Sequence, residues 1–340
     1  MSGGFEAGRV EPVLSVHNLS VAFPARGQWL EAVRGVSFEL SVGETLALVG
    51  ESGSGKSVTS QAVMGLLDPL ARVKADRLTF QGQNLLNISE RDWCQLRGNR
   101  LSMIFQDPMT ALNPVMKIGE QILEPLMLHG KRDRTSARLE ALAWLSKVGL
   151  QEPDRVFSSY PHQLSGGMRQ RVVIAIALCC RPSLVIADEP TTALDVTVQA
   201  QILQLLQTLQ QEVGMAVLLI THDLGVVSEV ADRVAVCYAG QLVECCSARS
   251  LFESPQHPYT RGLMDSIPRL DRPPGPLPSI AGSPPGLHEK LPGCAFAARC
   301  PSAQSRCSQQ PAPVLPRPSG EGLARCWLLQ PESEAQLEPA

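Results

Sequence analysis

ETLALVGESGSGKS (residues 44–57) joins a short apolar run to a glycine-rich octet, GESGSGKS at 50–57, that fits the pattern G-x-x-x-x-G-K-[ST]. The pattern has a physical reason. Glycine lets a backbone curl until several N–H groups point inward at one anion. A helix that follows adds the positive end of its dipole. Gly50, Glu51, Ser52, Gly53, Ser54 and Gly55 are therefore candidate phosphate-loop residues. Lys56 is placed to reach β- and γ-phosphates, and Ser57 to ligate Mg²⁺. A strand pattern precedes the loop and a helical one, VTSQAVMGLLD at 58–68, follows it. This context predicts binding of ATP or GTP within an α/β fold.

The chain on either side supports that class. VLSVHNLSVAF (13–23) and VRGVSFEL (33–40) alternate as strands do, and RLTFQGQNLL (77–86) reads as strand and turn. Residues 92–180 are richer in helical periodicity, as in TSARLEALAWLSKVGL (135–150). SLVIADEP (183–190) and AVLLITHD (216–223) are short buried-strand runs of the parallel type, with an amphipathic helix over 196–213 between them. Asp188 and Glu189 thus fall at the carboxyl end of a strand, where open α/β sheets bind ligands. Two adjacent carboxylates there call for a cation. Asp188 suits the Mg²⁺ shell, and Glu189 suits orienting and deprotonating an attacking water. His222 ends the next strand, and Gln106, in MIFQDP, follows another apolar run.

Bulk properties limit the alternatives. Of 340 residues, 44% are hydrophobic and 19% charged, and the net charge is −3 with no long basic run, which argues against a nucleic-acid partner. MSGGFEAGRVEPV lacks the apolar core of a secretory signal. The longest apolar run, VVIAIALCC (172–180), falls well short of the roughly 18 residues of a membrane span. The expectation is a soluble, cytoplasmic chain that meets a membrane only through another subunit. Of ten cysteines, Cys179, Cys180 and Cys237 read as small buried hydrophobes.

Four stretches stand in fixed order, GESGSGKS, MIFQDPMTALNP (103–114), LSGGMRQRV (164–172) and LVIADEPTTALD (184–195), and THD (221–223) follows them. Together they resemble the ATP-binding subunits of ABC transporters over about residues 13–250. The resemblance implies a P-loop cassette with a RecA-like core, a β-subdomain and an inserted helical subdomain at about 92–180. The ATP-binding domain would span 1–255, and an irregular cysteine-containing extension 256–340. It also implies that Ser165, Gly166 and Gly167 open a helix that completes the ATP site of a partner subunit. Asp195 would sit at the seam between the two. Gln106 would join the γ-phosphate and Mg²⁺ to a transmembrane subunit, and Phe23, with Trp29 as a nearby competitor, would stack on adenine. Glu189, His222 and Gln106 would form the hydrolytic set.

DPMTALNP, the methionine of LSGGM, ESPQHPYTRGLMDSIPRL (253–270) and PGCAFAARCPSAQSRC (292–307) are similar to the dipeptide/oligopeptide importer branch, which nickel and other small-solute importers share. That branch implies a second homologous ATPase, two permeases, an extracytoplasmic solute-binding protein and a peripheral place on the cytoplasmic face of the inner membrane. A soluble ABC protein that remodels other assemblies, or a redox-sensing regulator, are competing classes. DRPPGPLPSIAGSPPG (271–286) reads as a linker or irregular wrap. Beyond it, Cys294, Cys300, Cys307 and Cys326 are spaced C-x₅-C-x₆-C-x₁₈-C, looser than common zinc pairs and unlike common ferredoxins. A [4Fe–4S] cluster, zinc and plain thiols are all open readings of that spacing, and the resemblance implies the cluster.

Overall fold

The computed structural model describes residues 11–25, 27–130, 133–192, 194–267 and 279–330. The N-terminal ten residues, much of the proline-rich stretch and the polar end at 331–340 lie outside the described residues. Two sheets organise the described residues. The larger has eight strands in the order Val314–Pro316, Leu323–Arg325, Gln241–Ser247, Arg233–Tyr238, Thr45–Val49, Ala216–Thr221, Leu184–Asp188, Leu101–Ile104. Its last five strands run parallel, and Gln241–Ser247 turns back antiparallel. The smaller sheet is antiparallel, built on Leu14–Ala25 paired with Gln28–Leu40 and Arg77–Phe80.

The continuous apolar runs are explained by burial on both faces of the large sheet. Leu46, Leu48, Leu184, Ile186, Leu218 and Ile220 face a core shared with the antiparallel sheet. Their alternates Val185, Ala187, Val217 and Leu219 face a second core, closed by helices Ile118–Gly130, Arg134–Lys147, Gly166–Leu178 and Val196–Val213. Helix Val196–Val213 buries Ile202, Leu203, Leu206 and Leu209 at helical spacing and stops at Gly214, which takes the left-handed conformation (φ 74°) that glycine tolerates.

The structure adds detail to two expectations. Residues 92–180 are rich in helix, as their periodicity predicts, and they also contain a fully buried strand of the large sheet, Leu101–Ile104. Its four residues are too few to reveal a period against the helices around it. The C-terminal extension is not wholly irregular. Leu323–Arg325 pairs with Gln241–Ser247 (Glu244 opposite Ala324) and so covers what would otherwise be an exposed sheet edge. A third core joins Val234, Val236 and Tyr238 of the sheet to Tyr259, Met264 and Phe296. Arg317 closes the attachment: its guanidinium lies 3.1 Å from Glu244, and both side chains are sealed from solvent (1% and 0% exposed). Among the described residues no helix is long and apolar enough to cross a membrane.

Candidate nucleotide-binding site

Strand Thr45–Val49 delivers the chain to the loop at Gly50, and helix Lys56–Met64 leaves it. Glycine is required for two reasons. Gly50 (φ 151°) and Gly55 (φ 97°) have left-region backbones, and a Cβ would lie 2.2 Å from the Cys237 carbonyl oxygen at Gly50 and 2.7 Å from that of Ala32 at Gly55. Lys56 is buried, and its ammonium donates to the carbonyls of Gly50 (2.8 Å) and Glu51 (2.9 Å) and to Ser54 Oγ (3.3 Å). Burial pulls its pKa below the usual lysine value, while the charges of Cys237, Glu189, Asp188 and Glu51 work the other way.

The acidic pair meets this loop across the sheet. Ser57 donates to Asp188 Oδ1 at 3.2 Å, which brings together the two oxygen ligands expected for Mg²⁺. Burial pushes the Asp188 carboxyl above the usual range and the neighbouring Glu189 adds to it, against the Ser57 hydroxyl and the Lys56 charge. A hard dication is the partner that such a carboxyl and hydroxyl set fits.

Glu189 is only 18% exposed, and three side chains hold it. Gln106 Nε2 donates to Oε2 at 2.8 Å, Thr192 Oγ1 donates to the same oxygen at 2.9 Å, and His222 Nδ1 lies 3.2 Å from Oε1. Burial alone would raise its pKa. The hydrogen bonds from Thr192 and His222, with the charges of His222 and Lys56, outweigh burial and keep the carboxylate below its ordinary value. Its backbone has φ 46°, a strained position for a residue with a side chain. The structure therefore gathers Lys56, Ser57, Gln106, Asp188, Glu189 and His222 at the carboxyl ends of adjacent parallel strands.

Other expected residues lie elsewhere. Ser165 is exposed and caps helix Gly166–Leu178, accepting from the Met168 N–H at 3.3 Å. Asp195 caps helix Val196–Val213 in the same way through Val198 N–H at 2.9 Å. The two helix starts adjoin, since a Cβ on Gly167 would lie 3.0 Å from Val198. Phe23 is half-buried against the core between the sheets, on the strand beside the one whose Ala32 carbonyl abuts Gly55. Trp29 carries the Arg72 guanidinium 3.5 Å above its ring.

Three residues of the site were not singled out in the sequence. Thr192 lies three positions after Glu189, close enough for a local hydroxyl–carboxylate turn to have been foreseen. Tyr259, whose hydroxyl accepts the Glu51 N–H at 2.9 Å, and Arg299, which grips the Glu51 carboxylate, come from more than 200 residues away, and no local pattern signals them.

The tail cysteines share one neighbourhood. The Cys294 N–H donates to the Cys307 carbonyl at 2.7 Å. Burial raises the Cys294 thiol, with Cys307 and Cys300 adding to the rise. Burial also pushes Cys326 up to about 11, with the other three adding. Among the described residues no three His, Cys, Asp or Glu side chains approach closely enough to hold a single metal ion. Cys179 and Cys237 are buried as expected, and Cys180 is half-buried.

Residues 33–192 match the family described as ABC transporter, and residues 243–307 match the oligopeptide/dipeptide transporter C-terminal region. The chain is 52% identical to the dipeptide transport ATP-binding protein DppD of Bacillus subtilis (strain 168), over 96% of this chain and 97% of that one. It is 48% identical to the oligopeptide transport ATP-binding protein OppD of the same organism, over 97% and 92%. Among solved structures it is similar to a dimeric ATP-binding cassette in a post-hydrolysis state with ADP and Pi (TM-score 0.62, 28% identity, 69% of this chain and 99% of that one).

Proposed function

The chain belongs to the ATP-binding subunits of ABC transporters and is an ABC-type ATPase, and we propose that it powers import of dipeptides or oligopeptides across the cytoplasmic membrane. The observation that carries the reading is similarity over nearly the whole length, tail included, to proteins named for dipeptide and oligopeptide transport. Its partners on this reading are a second homologous ATPase, two permeases and an extracytoplasmic solute-binding protein, and the chain sits peripherally on the membrane's cytoplasmic face. An apolar groove lined by Leu66, Met103, Phe105, Leu112, Pro125 and Ile176 supports permease docking, because Phe105 precedes Gln106 directly.

In the catalytic step, loop N–H groups and Lys56 bind the phosphates. Ser57, Asp188 and the amide oxygen of Gln106 would hold Mg²⁺, which supplies neutralising charge at the β- and γ-phosphates. Glu189, kept ionised by Thr192, His222 and the Lys56 charge, is a weak base in the ground state. It therefore orients the water and takes up proton density only as the bond to phosphorus forms. Ser165, Gly166 and Gly167, exposed or half-exposed at a helix start, would clamp the γ-phosphate held by a partner's loop, and Asp195 would lie at that seam. Phe23 would carry the adenine.

Cys294 and Cys307 are neighbours through a backbone hydrogen bond, and the likeness of this extension to the oligopeptide/dipeptide transporter C-terminal region supports reading the four tail cysteines as one ligand set. We assign Cys294, Cys300, Cys307 and Cys326 to a [4Fe–4S] cluster whose contribution is to tie down the extension. Iron and acid-labile sulfide measured after anaerobic purification test that assignment, and zinc or bare thiols overturn it. Transport is tested by co-reconstituting the chain with its permeases, partner ATPase and binding protein in vesicles. ATP-dependent uptake of labelled dipeptide is expected; uptake of nickel with none of peptide would overturn the peptide reading.

A further inference from the structure

Glu51 places a carboxylate inside a loop whose task is to receive a polyanion, and Lys56 takes the backbone carbonyl of Glu51, leaving the acid to another partner. That partner comes from the far end of the chain. Arg299 Nη1 donates to Glu51 Oε2 at 2.7 Å and Nη2 to Oε1 at 3.0 Å, a two-pronged pairing across 248 residues. The remaining donors are also engaged: Nε with the Ala281 carbonyl (2.9 Å), Nη2 with the Ile280 carbonyl (3.3 Å) and Nη1 with the Tyr238 hydroxyl (3.3 Å). A guanidinium has five N–H groups, and these five contacts use them all. Its side chain is 6% exposed and lies beside the rings of Tyr238 and Phe296. The backbone of Glu51 is fixed by the same face of the molecule through Tyr259.

We infer that Arg299 is a positioning residue for nucleotide binding, which neutralises Glu51 and fixes the second residue of the phosphate loop from the C-terminal extension. The inference rests on the reading of residues 50–57 as the ATP site. Without Arg299, the Glu51 carboxylate is uncompensated beside the phosphates and free to turn toward them. A purely structural arginine would leave nucleotide affinity indifferent to the charge at position 51. The extension is then part of the site's electrostatics, acting through Glu51.

The test measures binding of a fluorescent ATP analogue with Mg²⁺ to the full-length chain. R299A is expected to weaken binding on the order of tenfold. R299M, which keeps the stem against Tyr238 and Phe296, should lose the same amount. Adding E51Q to either variant should recover most of the loss, because the stranded charge is then gone. R299K should fall between, since one ammonium cannot reproduce the fork. Wild-type affinity in R299A or R299M overturns the inference, as does a loss that E51Q leaves unrepaired. An unmodified chain that binds no analogue overturns the nucleotide reading itself, a result distinct from either.

Discussion

Glu189 and Glu244 are two carboxylates of the same sheet, held in opposite ways. Glu189 stands just past a strand end, partly exposed, gripped by side chains from three separate segments, and one of them, His222, is itself 63% exposed. Glu244 is inside a strand and fully sealed. It faces the Arg317 guanidinium and accepts backbone N–H bonds from Gln256 and His257, both at 2.9 Å. Partners such as Gln106 and His222 can be exchanged for water and phosphate; backbone partners and a buried arginine cannot. On the proposed reading, the sheet uses one acid for chemistry and another to fasten the extension.

The largest expected effect breaks the first half of the contrast. Glu189→Gln keeps the volume and removes the charge, so turnover should fall by about 10²–10⁴-fold. ATP binding and the unfolding midpoint should stay close to the parent's. Steady-state phosphate release beside equilibrium nucleotide binding checks this, and normal turnover would remove Glu189 from the base role.

Next comes the sealed pair. Arg317→Ala strands a buried carboxylate and should cost about 3–5 kcal/mol in urea unfolding. Removing both charges (Glu244→Gln with Arg317→Met) should cost less than the single change, because no uncompensated charge remains and the amide oxygen of Gln still accepts a backbone N–H. If single and double variants lose equally, the pair contributes packing and the contrast with Glu189 dissolves.

The two halves also differ in how far the sequence reveals them. The nucleotide site is assembled from short contiguous motifs at strand ends, and apolar period and glycine pattern alone place Lys56, Asp188, Glu189 and His222. The docking of the extension depends on single long-range contacts: Arg299 to Glu51, Arg317 to Glu244, Tyr259 to the loop backbone. No local spacing encodes these, since each partner is an ordinary charged or aromatic residue in its own neighbourhood. Leu101–Ile104 was hidden for a different reason, being a strand too short to compete with the helical signal on both sides.

A smaller effect sharpens the contrast through pH. His257, whose N–H serves Glu244, is buried, and that burial pulls its pKa down to about 3, with the Arg261 charge contributing. Its unfolded value is about 6.5, so below that pH the unfolded chain takes a proton that the folded chain refuses. The stability is fully present above pH 6.5 and declines as pH falls toward 3, by at most about 1.4 kcal/mol per unit. His257→Gln keeps an acceptor for the Tyr259 N–H and should flatten that slope when unfolding is compared at pH 7 and pH 5. An equal slope in the variant would place the acid sensitivity elsewhere.

The smallest effect concerns Asp195, where the test is whether the two uses of a carboxylate meet in one residue. As the N-cap of helix Val196–Val213 it accepts the Val198 N–H, and Asp195→Ala should cost about 1 kcal/mol of stability. Asn is as good a cap, so Asp195→Asn should restore the unfolding midpoint. A seam between two cassettes would instead need the charge, because hydrogen-bond acceptance alone already satisfies the helix. Recovery of both stability and ATP turnover in Asp195→Asn would make the residue a cap only, of the same fastening kind as Glu244. Recovered stability with turnover still depressed would give Asp195 a second role across the interface, beside the adjoining helix that begins at Gly166.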